Sequence, residues 1–275
     1  MFTEESKTLK FLYTNVVGRC TLKVLTWSFI SKLCGFFLDT RLSKFLIKPF
    51  VKKNNINLDD YYSENFKCFN DCFSRKIKEG KRTIDDSEDT IISPSDGLVS
   101  AYKISDDLIL NIKNSKYTVS SLLKNDELSK KYINGTCIVI RLCVNHYHRY
   151  CYPVGGTKKE NIHIKGALHT VRPIALENTL VFSENTREYT VLKSDRFGDI
   201  IMMEVGALLV GKIKNFHDKH KFKKGEEKGM FLYGGSTIIL FLEDKVRVDN
   251  RFFKATDKGL EESIRMGEVL GNLKR

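Results

Sequence analysis

The sequence predicts an α+β protein: N-terminal amphipathic helices followed by a β-rich body of mostly antiparallel strands. Two textures carry this reading. Over residues 1 to about 80, apolar residues recur in threes and fours, Pro49 breaks the run, and Phe66, Phe69 and Phe73 form a further helical stripe. From Asp85 onward, short strand-length runs take over, with few helix-length periodic stretches between them. The change falls near "KEGKRTIDDSEDT", a charged stretch poor in apolar residues, and divides the chain into a helical region of residues 1–84 and a β-rich body of residues 85–275.

Within the first region, Leu22, Leu25, Phe29, Leu33 and Phe36 recur at helical spacing, while Lys23 and Lys32 lie on other faces and Trp27 and Phe37 add bulky aromatics. Such a helix suits the headgroup plane of an anionic membrane, and it equally suits packing on the protein's own core. It does not span a bilayer, because the two lysines cut the apolar run short of the ~20 residues a crossing needs. In the body, "TIISPSDGLVSAY" reads as a strand, a turn and a second strand, with Asp96 on the turn and Gly97 free to take positive φ. "TVSSLLKNDELSKKY" is the best helix candidate there. "TCIVIRLCV", "DIIMMEVGALLVGKI" and "STIILFL" are strand-length runs, and Gly234-Gly235 before the last would serve as a two-residue hairpin loop.

Composition narrows the partners. A formal net charge of +12 implies an anionic one, either nucleic acid or an acidic membrane surface. No basic face with interleaved stacking aromatics occurs in the β-rich half, which disfavours nucleic acid. The seven cysteines are scattered and no signal peptide precedes them, so a reducing cytosolic setting fits. Cys68 and Cys72 could share a helix face, but no second cysteine pair completes a zinc site, and no metal is expected.

If "TCIVIRLCVNHYHRYCYP" is one strand, Ile138, Ile140, Leu142 and Val144 line one face, and His146 and His148 continue it. Histidines bonded to backbone, a His-x-His metal site and acid–base chemistry all fit that spacing. The remaining histidines, His163, His169, His217 and His220, sit at no recognisable ligand spacing.

Taken together and in order, "SPSDG", "YHRYCYPVGG" and "GEEKGMFLYGGSTIILF" resemble the phosphatidylserine decarboxylases. The likeness extends to "FKCFNDCFSRKI" (family pattern F-N-x-F-F-x-R), "FSENTREYTVL" and "FGDIIMMEVGALLVGKI", and covers roughly residues 60 to 250.

The resemblance implies a chain that makes its own pyruvoyl cofactor. Ser236 attacks the carbonyl of Gly235, the resulting ester eliminates to a dehydroalanine, and hydrolysis leaves a pyruvoyl group at residue 236 with loss of ammonia. The family's Asp-His-Ser set maps onto Asp96, His148 and Ser236, with His148 as base and Asp96 as the carboxylate that orients it. A β chain of residues 1–235 and an α chain of residues 236–275 would form a heterodimer, and a homo-oligomer stays open. The pyruvoyl carbonyl would form a Schiff base with phosphatidylserine and accept the electrons released with carbon dioxide, giving phosphatidylethanolamine.

Two positions depart from the family pattern: His146 stands where many members have Asp, and Cys151 where many have a second His. Both are candidate accessory groups, as is His169 in "GALHTV". A lipid substrate favours the membrane reading of the N-terminal segment, peripheral on the cytoplasmic face, and makes "KNFHDKHKFKK" a candidate second lipid-facing loop. The alternatives are a pyruvoyl decarboxylase of a soluble amino compound, a serine hydrolase built on the same three residues, and a non-enzymatic basic protein that binds membrane surfaces.

Overall fold

A computed structural model describes residues 7–274, apart from 27, 64, 113–114, 208–211 and 233–235. The fold is α+β, as expected. Among the described residues five α-helices precede the body: α1 (Lys7–Thr14), α2 (Val16–Leu25), α3 (Ser28–Leu38), α4 (Ile47–Lys53) and α5 (Phe69–Phe73), with a 3-10 turn at Arg41–Leu46. The helical reading of the first eighty residues is therefore too generous, since the described residues of 54–68 and 74–89 form no regular helix. The stripe from Leu22 to Phe36 also divides between two helices. Asn15 caps α2 through its side chain, and α2 ends at Thr26. Trp27 lies outside the described residues. The break lets the two halves of the stripe face different ways: Leu22 is buried and Leu25 packs against the same core, whereas Phe29, Leu33 and Phe36 are exposed.

Seven strands carry the rest of the account: β1 (Gly97–Lys103), β2 (Thr136–Leu142), β3 (Arg149–Cys151), β4 (Arg187–Ser194), β5 (Gly198–Val205), β6 (Glu227–Phe231) and β7 (Ser236–Leu242). Among the described residues the largest sheet has nine strands, and its centre runs β4-β5-β7-β2-β1 with every neighbour antiparallel. In β7 and β2, alternate residues feed two separate cores. Cys137, Val139, Ile239 and Phe241 enter one, together with Leu12, Tyr13 and Leu22 from α1 and α2. Ile138, Ile140, Leu142, Ile238 and Leu240 enter the other, which is closed by Tyr150 of β3 and Phe231 of β6. A strand sealed on both faces reads as a continuous apolar run, which is why "STIILFL" has no polar alternation.

The body holds more helix than its sequence texture shows. "TVSSLLKNDELSKKY" is broken into Val119–Leu123 and Asp126–Ser129 by Lys124, whose φ is 50°. Further helices span Pro173–Asn178, Val181–Glu184 and Asn250–Asp257. Gly97 needs space rather than a positive φ. It opens β1, and a Cβ there would lie 2.5 Å from the Ile140 side chain. The run through "NHYHRYCYP" is likewise not one strand. β2 ends at Leu142, and the chain turns, with His146 N donating to the Cys143 carbonyl at 2.9 Å, before β3 begins.

Candidate active site

Ser236 is the first residue of β7 and pairs with Leu142 at the end of β2, so its side chain lies on the same face as Ile238 and Leu240. The hydroxyl is fully buried. Because the chain turns after Leu142, His148 folds back over this point instead of extending the strand. Phe231 N donates to the His148 carbonyl at 2.9 Å, which fixes its backbone to β6. The imidazole then spans two partners: Nδ1 lies 3.2 Å from Ser236 Oγ, and Nε2 lies 3.1 Å from the Cys143 carbonyl oxygen.

Those partners determine the tautomer. A carbonyl oxygen only accepts, so Nε2 carries the proton and donates to Cys143, leaving the Nδ1 lone pair for the serine hydroxyl. Burial holds the imidazole pKa well below its ordinary value. The Arg75 charge and His146 act in the same direction, while the Cys143 carbonyl opposes them. His148 is therefore neutral near pH 7 and presents a basic nitrogen to a serine oxygen, which is the geometry of nucleophile activation.

Asp96 meets neither ring nitrogen of His148. Its carboxylate accepts from Arg82 through both oxygens, with Nε at 2.9 Å, and from Met266 N at 2.9 Å. The orienting group on His148 is thus a backbone carbonyl where a carboxylate was expected. Asp96 lies to the side of the other two sequence candidates. Its charge favours the protonated form of His146 and disfavours the thiolate of Cys151, although burial is the larger effect on both. His146 accepts from Cys143 N through Nδ1 at 3.1 Å, so it braces the turn that carries His148. Cys151 is buried in β3 with its thiol pushed up to about 12 by burial, and is held as a neutral thiol. Gly235 and Gly234 lie outside the described residues.

Comparison with known proteins now bears on this pair. The family model described as phosphatidylserine decarboxylase matches residues 69–272, a span that takes in Asp96, His148 and Ser236. The chain belongs to the phosphatidylserine decarboxylase family. It is 46% identical over 265 residues to phosphatidylserine decarboxylase proenzyme 2 of Clostridium acetobutylicum, covering 96% of this chain and 91% of that one. It is 42% identical over 273 residues to the phosphatidylserine decarboxylase proenzyme of Clostridium kluyveri, covering 96% and 92%. Against the proenzyme of Ruminiclostridium cellulolyticum it is 40% identical over 271 residues, covering 96% and 90%.

In this member of the decarboxylase family, three further places bear on the histidines, two of them holding residues singled out in the sequence. His169 is remote in contact: Nδ1 lies 3.4 Å from the Tyr13 hydroxyl of α1 and Nε2 lies 3.6 Å from Glu184. Its loop is tied to the end of β5 through Asn185, whose amide nitrogen donates to both the His169 and Gly206 carbonyls. His217, His220 and Glu226 are the one group among the described residues with three ligand-type atoms within 4.8 Å of one another. Those imidazoles stack face to face at 3.9 Å and 9°, so their in-plane lone pairs run side by side rather than converging. His217 is engaged by the Tyr152 hydroxyl and His220 by Glu226.

Sequence reasoning missed the third place. Phe73 of α5 stacks on the His148 ring with centroids 3.9 Å apart, and Arg75 donates to the carbonyls of Asn145 and His146. Both residues stand in the "FKCFNDCFSRKI" motif, where the only signal was that an arginine and phenylalanines occur at fixed spacing.

Proposed function

We propose that this chain is a proenzyme that cuts itself between Gly235 and Ser236 and then decarboxylates phosphatidylserine to phosphatidylethanolamine through a pyruvoyl group derived from Ser236. The observation that carries the reading is the buried Ser236 hydroxyl facing the unprotonated nitrogen of His148, in a chain related over most of its length to phosphatidylserine decarboxylase proenzymes.

The cutting chemistry follows from that pair. Nδ1 of His148 takes the Ser236 proton as Oγ adds to the Gly235 carbonyl carbon. The carbonyl then leaves its nitrogen for the oxygen, turning amide into ester. Loss of the Ser236 α-proton expels the Gly235 carboxylate and leaves a dehydroalanine at 236, which water converts to pyruvoyl and ammonia. Residue 236 is suited to carry such a group: it is fully buried beside a neutral base, under an apolar layer that includes Leu142 and Phe231. When formed, the pyruvoyl group supplies a carbonyl that binds the substrate amine and accepts the electrons released with carbon dioxide. His148, released from the hydroxyl by the cleavage, is the residue that returns a proton to the product carbon.

The β chain (1–235) and α chain (236–275) stay together as a heterodimer because the cut strand is tied at every level. β7 lies between β2 and β5, and Val269–Leu273 pairs with Thr90–Ile92. Asp96, bound to Arg82, accepts from Met266 N across the two chains. Its role in this reading is positioning. It anchors the turn before β1 to the α chain, next to His146 and Cys151.

Access to the lipid is by peripheral binding on the cytoplasmic face. Phe29, Leu33, Phe36, Leu42 and Phe45 are all exposed, with Phe36 at 73% and Leu42 at 75%. Exposed apolar side chains in a segment rich in lysine suit the headgroup boundary of an anionic membrane. Among the described residues no helix is long and apolar enough to cross one.

The test is to supply the purified protein with phosphatidylserine in anionic vesicles, and separately with free serine and phosphoserine, and to measure carbon dioxide and ethanolamine product. Release from the lipid alone is expected. Release only from a soluble amino compound would contradict the substrate assignment.

A further inference from the structure

Arg75 is 1% exposed, and its hydrogen-bond acceptors among the described residues are all backbone carbonyls. An isolated buried charge is costly to keep, so what the guanidinium touches is informative. One terminal nitrogen donates to the Asn145 carbonyl at 2.7 Å and the His146 carbonyl at 2.9 Å. The other makes longer contacts to the Cys72 and Phe73 carbonyls at 3.5 and 3.4 Å, and Cζ lies 4.5 Å from the Tyr61 ring centroid. Two of these carbonyls belong to the turn between β2 and His148, 70 and 71 residues away in sequence. That turn also carries the Cys143 carbonyl that sets the His148 tautomer. From the same short segment, Phe73 lies against the imidazole at 3.9 Å and 28°.

We propose that Arg75 is a positioning residue for His148, gripping the 143–148 turn by its carbonyls so that the imidazole meets Ser236 with its unprotonated nitrogen. The inference rests on the reading of His148 as the base for chain cleavage. Two actions follow from one side chain. The fork of N–H groups fixes where the turn sits, a role a point-charge ammonium fills poorly. The uncompensated positive charge works against an imidazolium at His148. The other groups facing that ring are His146, which acts in the same direction, the Cys143 carbonyl, which acts against it, and the neutral Ser236 and Phe73. Arg141 and Asp96 reach His146, with opposite effects.

The experiment uses the full chain made by cell-free synthesis with a radiolabel, chased in buffers from about pH 5.5 to about pH 8.5, a span that brackets the ordinary histidine range. The cleaved fraction is read on denaturing gels. Wild type is expected to cut at a nearly constant rate across that span. Arg75→Lys keeps the charge and loses the fork, so it should slow cleavage about tenfold with an unchanged pH profile. Arg75→Met loses both. It should be slower still, and its cleavage should gain an acid limb that wild type lacks over this span, because the charge that disfavours the imidazolium is gone.

Wild-type cleavage by Arg75→Met, or an equal loss at every pH in Arg75→Met and Arg75→Lys, overturns the inference, because a purely structural side chain would give one or the other. If Arg75→Met does not fold, Arg75→Lys decides. A slowed rate with the wild-type profile supports the proposal, and a wild-type rate overturns it. Cleavage of His148→Ala at the wild-type rate would instead remove the base assignment, and the inference would fall with it.

Discussion

His148 Nδ1 lies 3.2 Å from Ser236 Oγ while the opposite ring nitrogen donates to the Cys143 carbonyl. This single relationship sets the direction of proton flow: the serine gives and the imidazole takes. Replacing His148 by Gln keeps a polar side chain of similar reach but no comparable base. Cleavage is expected to slow by about 10²–10⁴-fold, the usual contribution of a positioned general base. The rate is measured by time-resolved gel analysis of newly made chain, and an unaltered rate would contradict the assignment.

The titration of the histidines gives a stability prediction. His146, His148 and His169 all have folded-state pKa values lowered from the ordinary one, with burial the largest cause in each. Well above the ordinary histidine value of about 6.5 they are neutral whether folded or unfolded, and contribute nothing to pH dependence. Below it the unfolded chain takes up protons that the folded chain refuses, so stability is lost as pH falls. His148, whose folded-state pKa lies well below the ordinary value, contributes to the decline over the widest part of that interval. Urea titration of the Ser236→Ala precursor, which separates stability from cleavage, should show the decline. A His148→Phe version should show a shallower one.

Asp96 and Arg82 form a two-oxygen ion pair with side chains only 10% and 9% exposed. Asp96→Asn removes the charge facing Arg82 and weakens the bond to Met266 N. In the Ser236→Ala background it should cost about 3 kcal/mol, towards the lower end for breaking a buried pair. Because Asp96 does not touch His148, cleavage of folded Asp96→Asn should keep the wild-type pH profile. A shifted profile would show that it acts on the imidazole directly.

Lys228 and Glu204 make an ion pair at 2.8 Å with both side chains fully buried, in a network that includes Asn215 and Glu188. Lys228→Met should destabilise the precursor by about 3–5 kcal/mol, because it strands a buried carboxylate. Lys228→Met with Glu204→Leu should recover most of the loss, since both desolvation penalties vanish together. Equal losses in the single and double variants would mean the pair itself is stabilising. Chemical denaturation of the two distinguishes these outcomes.

The exposed apolar side chains of the N-terminal segment predict a membrane effect without a stability effect. Replacing Phe36 and Phe45 by Ser should weaken flotation with anionic vesicles by roughly tenfold or more per residue, from the ~1.5–3 kcal/mol a buried aromatic contributes. Melting temperature should stay near wild type, because both side chains are already exposed. A fall in melting temperature with unchanged flotation would place these side chains inside the protein's own packing.

The fold class was legible because its two signals are local: helical periodicity up to Phe73 and strand-length apolar runs after Asp85. The pairing of His148 with Ser236 was legible only through family likeness, since 88 residues separate them. Alternation extended β2 too far because "CVNH" continues the pattern of "IVIRL". The reversal depends on a Cys143–His146 backbone hydrogen bond that no side-chain pattern reports. Sequence reasoning paired Asp96 with His148, whereas its carboxylate meets Arg82 and Met266 N. Arg82, 14 residues upstream in a stretch without regular structure, claims its carboxylate, and nothing local announces that contact. Arg75 stood out only as a motif residue, and its contacts were not legible, as its partners are carbonyls, which carry no sequence identity.

The most direct test of the central claim is intact-mass spectrometry of protein purified from cells making it. The account predicts two chains, residues 1–235 and a fragment beginning at a blocked residue 236. Their masses should sum to the precursor plus one water less one ammonia, and Ser236→Ala should give one chain. A wild-type protein found whole, and still converting phosphatidylserine to phosphatidylethanolamine, would contradict it.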